Sequence, residues 1–270
     1  MTARTIVARI TPPALVGRRR AVHILERNYV SSKAVWSVIL SGFFEPLFYL
    51  FAIGVGIGQL AGDIELADGE VITYAAYVAP ALLAASAMNG AVLESTINIF
   101  FKLKYGKTYD AILATPMQPA DVAVGEIGWS LVRGGLYAFA FFAVMLVLGL
   151  VLSPWGVLAV PAALLIGFGF AGVGMAASTY MRTWQDLDLV NLILLPMFLF
   201  SGTFFPIDIY PPVLQILTRL SPLYHAVLLV RGLTLGNVEP ALIVHGAYLA
   251  AMGAIGLAIA NRRISAMLLK

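Results

Sequence analysis

The chain of 270 residues is 60% hydrophobic and only 11% charged, with a mean hydropathy of +0.90. That exceeds what a soluble core requires, so a water-soluble globular protein is excluded and an integral membrane protein with one polytopic helical domain is the economical reading. No cysteine is present, which removes disulfides and thiolate metal sites, and the net charge of +3 hides an uneven distribution.

Residues 1–34 form a basic N-terminal segment carrying Arg4, Arg9, Arg18, Arg19, Arg20, Arg27 and Lys33. No apolar core of the right length precedes Ala34, so a cleavable signal is not expected. After Pro12 and Pro13, a helix would align Leu15, Val22, Leu25 and Tyr29 on one side and Arg20 and Arg27 on another, with Ile24 breaking the pattern. This predicts a helix lying along the membrane surface rather than a further span.

Residues 35–260 hold the membrane domain, because a hydrocarbon core of about 30 Å takes roughly 20 apolar helical residues. Six segments qualify: Val35 to Leu60, Val71 to Phe100, Val122 to Leu152, Val157 to Met181, Leu189 to Phe205 and Ala241 to Ala260. Between the last two, Pro206, Pro211, Pro212 and Pro222 break an apolar stretch that cannot make one straight span. Short helices that dip into the membrane and return are expected there. Residues 261–270 form a tail. The fold class is therefore all-α: a polytopic membrane protein of six transmembrane helices, with an N-terminal interfacial helix and re-entrant short helices between the fifth and sixth spans.

Basic residues in short loops prefer the cytoplasm. Lys102, Lys104 and Lys107 follow the second span, and Arg262, Arg263 and Lys270 follow the sixth, matching the basic N-terminus. The first opposite loop, GDIELADGE, has Asp63, Glu65, Asp68 and Glu70 with no basic residue. Both termini are thus expected in the cytoplasm.

The loop KYGKTYDAILATP contains the Gly-Lys-Thr of a P-loop. A P-loop also needs a glycine five residues earlier, where this chain has Phe101, and a preceding β-strand. A nucleotide site in this chain is therefore not expected. The glycine clusters at Gly54 to Gly58 and Gly167 to Gly174 sit inside spans, where close helix packing is their natural role.

Intramembrane charge is costly, so Glu45, Glu94, Glu126 and Arg133 need partners. Glu94 and Glu126 fall near the cytoplasmic span ends, and Glu126 and Arg133 are each expected to pair with a neighbouring helix. Glu45 alone offers a proton-coupled carrier little to work with. An intramembrane hydrolase would need Ser201 paired with His225 or His245, but Ser201 lacks a flanking Gly-x-Ser-x-Gly turn.

Two blocks, KYGKTYDAILATPMQPADVAVGE and LLPMFLFSGTFFPIDIYPPVLQILTRLSPLYHAVLLVRGLTLG, resemble the permease subunits of ABC-2 type exporters. The similarity is to the NodJ-like branch, associated with lipo-oligosaccharide and drug export, and it extends over nearly the whole chain. The resemblance implies a multi-pass permease of the bacterial inner membrane that moves a glycolipid, lipo-oligosaccharide or hydrophobic drug outward. It implies no catalytic, metal or cofactor site in this chain: ATP and Mg belong to a separate ABC ATP-binding subunit. Partners would be that subunit, membrane lipid and a second permease copy, a homodimer being simpler than a heterodimer; no nucleic acid is called for.

By the same resemblance, a coupling helix over Tyr105, Gly106, Lys107, Thr108, Tyr109, Asp110, Ile112 and Leu113 would dock on the ATP-binding subunit. Tyr105, Tyr109 and Ile112 would offer the docking side, with Lys107 and Asp110 as rim charge. Thr115 and Pro116 end the element, and Pro119 with Asp121 starts the next helix. Arg182, Gln185 and Asp186 would make a second contact, and Phe48, Phe51, Met197, Phe198 and Phe200 would line the substrate path. An ion-coupled carrier or channel, or less readily an intramembrane hydrolase, are the alternatives.

Overall fold

A computed structural model of the chain describes residues 13–33, 44, 46–65, 69 and 71–268. Residues 1–12, Glu45 and the first part of the first expected span lie outside the described residues.

The helices are α1 (Pro13–Ser32), α2 (Pro46–Leu60), α3 (Tyr74–Lys104), α4 (Thr108–Leu113) and α5 (Pro119–Val147) in the first half. The second half adds α6 (Pro154–Ser178), α7 (Asp186–Phe200), α8 (Pro212–Leu220), α9 (Pro222–Leu235) and α10 (Ala241–Leu268). Among the described residues, α3, α5, α6 and α10 are each long and apolar enough to cross a membrane, and α8 with α9, bent by 80° at Ser221, makes a fifth candidate if counted as one. The acidic loop after α2 contains a two-stranded antiparallel hairpin, β1 (Ile64–Glu65) and β2 (Val71–Ile72), which the sequence reading did not foresee.

Local chemistry sets the boundaries. Thr73 caps α3 by accepting the Ala76 N–H at 3.3 Å. Pro119 occupies the first turn of α5, while Asp121 reaches back to the Gln118 N–H at 2.9 Å. The fifth expected span stops early, at Phe200, because Gly202 adopts a φ of 68° and turns the chain. The sixth runs on past Ala260 to Leu268, since Ile264 is buried and the Arg263 guanidinium stacks on the Tyr180 ring at 4.2 Å. Most of the expected tail is thus helix.

The core is centred on α3, whose residues from Tyr74 to Val92 are almost continuously buried. Backbone approach, not side-chain bulk, locks α6 to α10. A Cβ at Gly172 would meet the Gly253 carbonyl oxygen at 2.5 Å, and one at Gly256 would meet the Gly172 carbonyl carbon at 2.3 Å. Gly54 and Gly58 likewise let α2 approach Ala75 and Tyr74 at the start of α3. By contrast, α7 has no fully buried residue.

Helix α1 packs on α5 through a face the amphipathic pattern did not select. Ala21, Ile24 and Asn28 are buried, whereas Val22 and Tyr29 are exposed. The reason lies on α5, where Gly125 and Gly128 leave a groove: a Cβ at Gly125 would lie 2.5 Å from the Ile24 Cβ, and Leu25 fills the space over Gly128. Ile24, the residue that spoiled the periodicity, is the anchor.

Candidate functional site

The loop between α3 and α5 is built as a turn, a short helix and a capped restart. The N–H groups of Tyr105 and Gly106 both donate to the Phe101 carbonyl, at 3.1 and 2.8 Å, closing the end of α3. Lys107 then takes a left-handed φ of 45° and reverses the chain into α4. These amides close a helix and are not arranged to wrap phosphates, so the Gly-Lys-Thr triplet is a helix-turn-helix junction. Thr115 ends α4 by donating its hydroxyl to the Ile112 carbonyl at 2.6 Å.

Helix α4 is anchored by the side it was expected to present. Tyr109 is fully buried, and Ile112 and Leu113 pack against the core. What faces outward is Tyr105, Gly106, Lys107, Asp110 and Ala111, with Tyr105 60% exposed and its ring tilted against that of Phe101 at 5.3 Å; Thr108 is half-buried. The correction has a simple cause: a six-residue helix has no intrinsic stability, so its large apolar groups hold it to the bundle, here against the ends of α3 and α10.

Beneath α4 lies a polar cluster that the sequence did not assemble. Glu126 on α5, 1% exposed, accepts from Lys102 Nζ at 2.7 Å and from Asn28 Nδ2 at 2.9 Å through one oxygen. Its other oxygen lies 3.9 Å from Arg27 Nη1. Lys102 also donates to Asn28 Oδ1 at 3.0 Å. The Tyr109 hydroxyl and Glu126 Oε1 are both buried without a hydrogen-bond partner. Burial pushes the Tyr109 hydroxyl well above its ordinary pKa, and the nearby Glu126 carboxylate adds to that. Arg20 Nη1 donates to the Pro116 carbonyl at 2.8 Å, a second tie from α1 to the loop. One layer deeper, Arg133 Nη1 meets Glu94 Oε2 at 2.5 Å, and Glu94 sits in a π-helical turn, Glu94–Asn98, that reshapes α3. Both charged pairs cross between helices, as the spacing of Glu126 and Arg133 had required.

Arg182 and Gln185 lie in the loop that enters α7, and Asp186 is the first residue of that helix. Asp186 accepts the N–H groups of Arg182 at 2.6 Å and Thr183 at 3.2 Å, and these bonds hold its carboxyl below the ordinary carboxylate range. Asp186 is thus the cap of its own turn, while Arg182 and Gln185 are exposed.

The five expected path residues are not brought together. Phe198 lines a cavity of about 400 Å³ between α2, α3 and α7, shared with Tyr49, Ser86, Asn89 and Asn191. Met197 and Phe200 line another, of about 430 Å³, under α8 and α9. Phe48 and Phe51 are exposed. Successive helical residues turn by about 100°, so neighbours on α7 serve different walls. Ser201 bonds the Met197 carbonyl at 2.5 Å and Ser221 Oγ at 2.7 Å, while His225 and His245 pair with each other at 2.8 Å. The serine and histidines are separately occupied, and no hydrolase constellation forms.

Among the described residues, a bundle of helices long and apolar enough to cross a membrane, with a short helix over a buried charged cluster, is the architecture of a multi-pass membrane protein. The sequence profile of the ABC-2 type transporter matches residues 20–235, so the chain belongs to that family. It is 30% identical over 220 residues to Nodulation protein J of Rhizobium leguminosarum bv. trifolii, covering 80% of this chain and 81% of that protein. It is 29% identical to Nodulation protein J of Neorhizobium galegae over 90% of this chain and 94% of the relative. The inner membrane transport permease YadH of Escherichia coli K12 is 21% identical over 74% of this chain and 80% of its own.

Proposed function

We propose that the chain is the membrane half of an ATP-driven exporter, working with a separate ATP-binding subunit and a second permease copy. Membership of the ABC-2 type family supports an ABC ATP-binding partner. In this reading α2 with the residues before it, α3, α5, α6, α7 and α10 are the six spans, α1 lies at the inner membrane surface, and α8 and α9 are re-entrant. Both termini face the cytoplasm of a cell whose inner membrane holds the protein, which the basic loops support. At 15 residues, α7 is about 22 Å long.

The observation that carries the proposal is the contrast between the anchored side of α4, Tyr109, Ile112 and Leu113, and an exposed surface made of Asp110 on α4 with Tyr105 and Lys107 in the turn before it. A short helix seated on a buried charged cluster transmits a push as a unit. Pressure on the exposed surface reaches α1, α3 and α5 through Tyr109, Glu126, Lys102 and Asn28. ATP-dependent closure of the partner subunits would thereby shift the bundle between conformations. The substrate is an amphiphile such as a glycolipid, lipo-oligosaccharide or hydrophobic drug. The largely apolar cavity at Phe198, with Asn89 and Asn191 as polar groups, supports that class.

The test is co-purification of the ATP-binding subunit with chains carrying Asp110→Arg or Tyr105→Ala, together with ATP-dependent export. Loss of partner capture and export with an unchanged thermal midpoint supports the proposal. Retained capture and export in both variants refutes the coupling role. Export that persists without ATP and stops when the proton gradient is collapsed would establish the ion-coupled alternative.

A further inference from the structure

Where α1 meets the π turn of α3 and the middle of α5, a cavity of about 490 Å³ opens beside the polar cluster. Its wall carries Arg27, Lys102 and Arg133 against one carboxylate, Glu94, with Asn28 and Ser32 adding neutral polar groups. Two of the three cations are closely paired, Lys102 with Glu126 at 2.7 Å and Arg133 with Glu94 at 2.5 Å. Arg27 is held more loosely: its side chain is 36% exposed, and its Nη1 makes no hydrogen bond and reaches Glu126 Oε1 only in a long ion pair of 3.9 Å.

Three cations therefore face two carboxylates, and Arg27 has the longest of the three ion pairs, with an Nη1 that makes no hydrogen bond. A buried donor left unmade is costly, and a guanidinium matches a phosphate oxygen pair better than any neutral group does. Leu93 and Ile97 give the same cavity an apolar strip. Positive charge with polar donors at one side and aliphatic surface at the other is the complement of an anionic headgroup joined to an acyl chain.

We propose that this cavity binds the phosphate-bearing headgroup of an anionic membrane lipid, with Arg27 as the principal ligand and Lys102 and Arg133 supplying the surrounding positive field. The cavity has its own basic lining and adjoins the cavity at Phe198 across Leu93. Placing it in the inner leaflet rests on the orientation proposed above, whereas the preference for an anion rests on the cavity alone.

The experiment is lipid retention by the full chain, purified in detergent, exchanged against equimolar phosphatidylglycerol and phosphatidylcholine, and read by native mass spectrometry. It needs neither ATP nor transport, so its failure is distinct from failure of the exporter reading. The wild-type chain is expected to retain phosphatidylglycerol in preference to phosphatidylcholine. Arg27→Gln should bind it about tenfold more weakly, the loss of one charge-assisted hydrogen bond. Glu94→Gln removes the opposing charge and should retain at least as much as wild type, a result that a damaged fold does not give. Displacement by excess inorganic phosphate would show that the phosphate group alone is recognised, and resistance to it would show that the intact lipid is. Equal retention of both lipids, no change in either variant, or equal loss in both overturns the proposal.

Discussion

Lys102 Nζ lies 2.7 Å from Glu126 Oε2, so one ion pair joins the last turn of α3 to the second turn of α5 across the whole coupling loop. The pair is asymmetric, because Glu126 is 1% exposed and Lys102 20%. Removing one partner of a buried pair leaves the other charge without compensation. Lys102→Met should therefore destabilise the chain by about 2–4 kcal/mol, discounted from the fully buried case for the part-exposed lysine. Lys102→Met combined with Glu126→Leu should recover part of that loss, because the buried carboxylate is no longer stranded, although Arg27 loses its neighbour at 3.9 Å. Thermal unfolding in detergent reads both; single and double variants that match wild type would show the pair to be dispensable.

Tyr109 and Asp110 are adjacent in sequence and opposite in duty, one buried and one exposed. Tyr109→Ala should cost about 3–5 kcal/mol as a large buried ring is deleted. Tyr109→Phe should cost far less, about 1 kcal/mol, because the ring stays and only the hydroxyl's interaction with the neighbouring Glu126 carboxylate is lost. Asp110→Arg should leave the thermal midpoint in place and act only on partner capture. If Asp110→Arg unfolds the chain and Tyr109→Ala does not, the two faces of α4 are assigned the wrong way round.

Much of this architecture was legible in the linear pattern, and the exceptions are instructive. Four of the six expected spans, those at α3, α5, α6 and α10, could be read because lipid demands long apolar helices, and the restart at Pro119 and Asp121 because capping is a local affair. The face of α1 was misread because periodicity weighs Ile24 by its neighbours on the same helix, whereas its fate is decided by Gly125, about a hundred residues away. Tyr109 was assigned to the surface for the same reason: a short helix advertises its large side chains without saying which side the bundle claims. Glu126 was visible as a charge needing a partner, yet nothing local selects Lys102, Asn28 and Arg27 to meet it.

Gly125 supplies a further prediction. A side chain there would collide with Ile24 Cβ and come within 2.9 Å of the Ala21 carbonyl oxygen. Gly125→Val should displace α1 and cost about 1–3 kcal/mol, with faster amide exchange over residues 20–32. Gly56→Val, where the nearest atom is the Phe51 carbonyl oxygen at 3.8 Å, should leave α1 protection unchanged. Equal exchange in both variants would mean that the groove does not hold α1.

Asp186 predicts a pH dependence of defined sign. Its carboxyl is held below the ordinary 3.8 by the N–H groups of Arg182 and Thr183. A depressed folded-state pKa contributes stability that is present above the unfolded value and is lost as pH falls through the folded one. The turn before α7 should thus stay intact at neutral pH and loosen only in acid, below about pH 4. Fluorescence of Trp184, in a variant that keeps it as the sole tryptophan, follows this directly. Asp186→Asn should flatten the acid limb, and an unaltered limb would assign it to another group.

The glycine contacts of α6 and α10 bear on where the molecule can yield. With Gly172 pressed against the backbone of Gly253 and Gly256, those two helices have no side-chain cushion between them to compress or re-pack. Helix α7 packs on the rest of the bundle through half-exposed side chains and is tied at its end, where Thr218 donates to the Phe200 carbonyl at 2.6 Å. The bundle is therefore mechanically lopsided, with a stiff spine on one side and a compliant wall on the other. Under the proposed coupling role of α4, a push there would meet least resistance at α7, and a molecule wedged beside Phe198 would block that yielding.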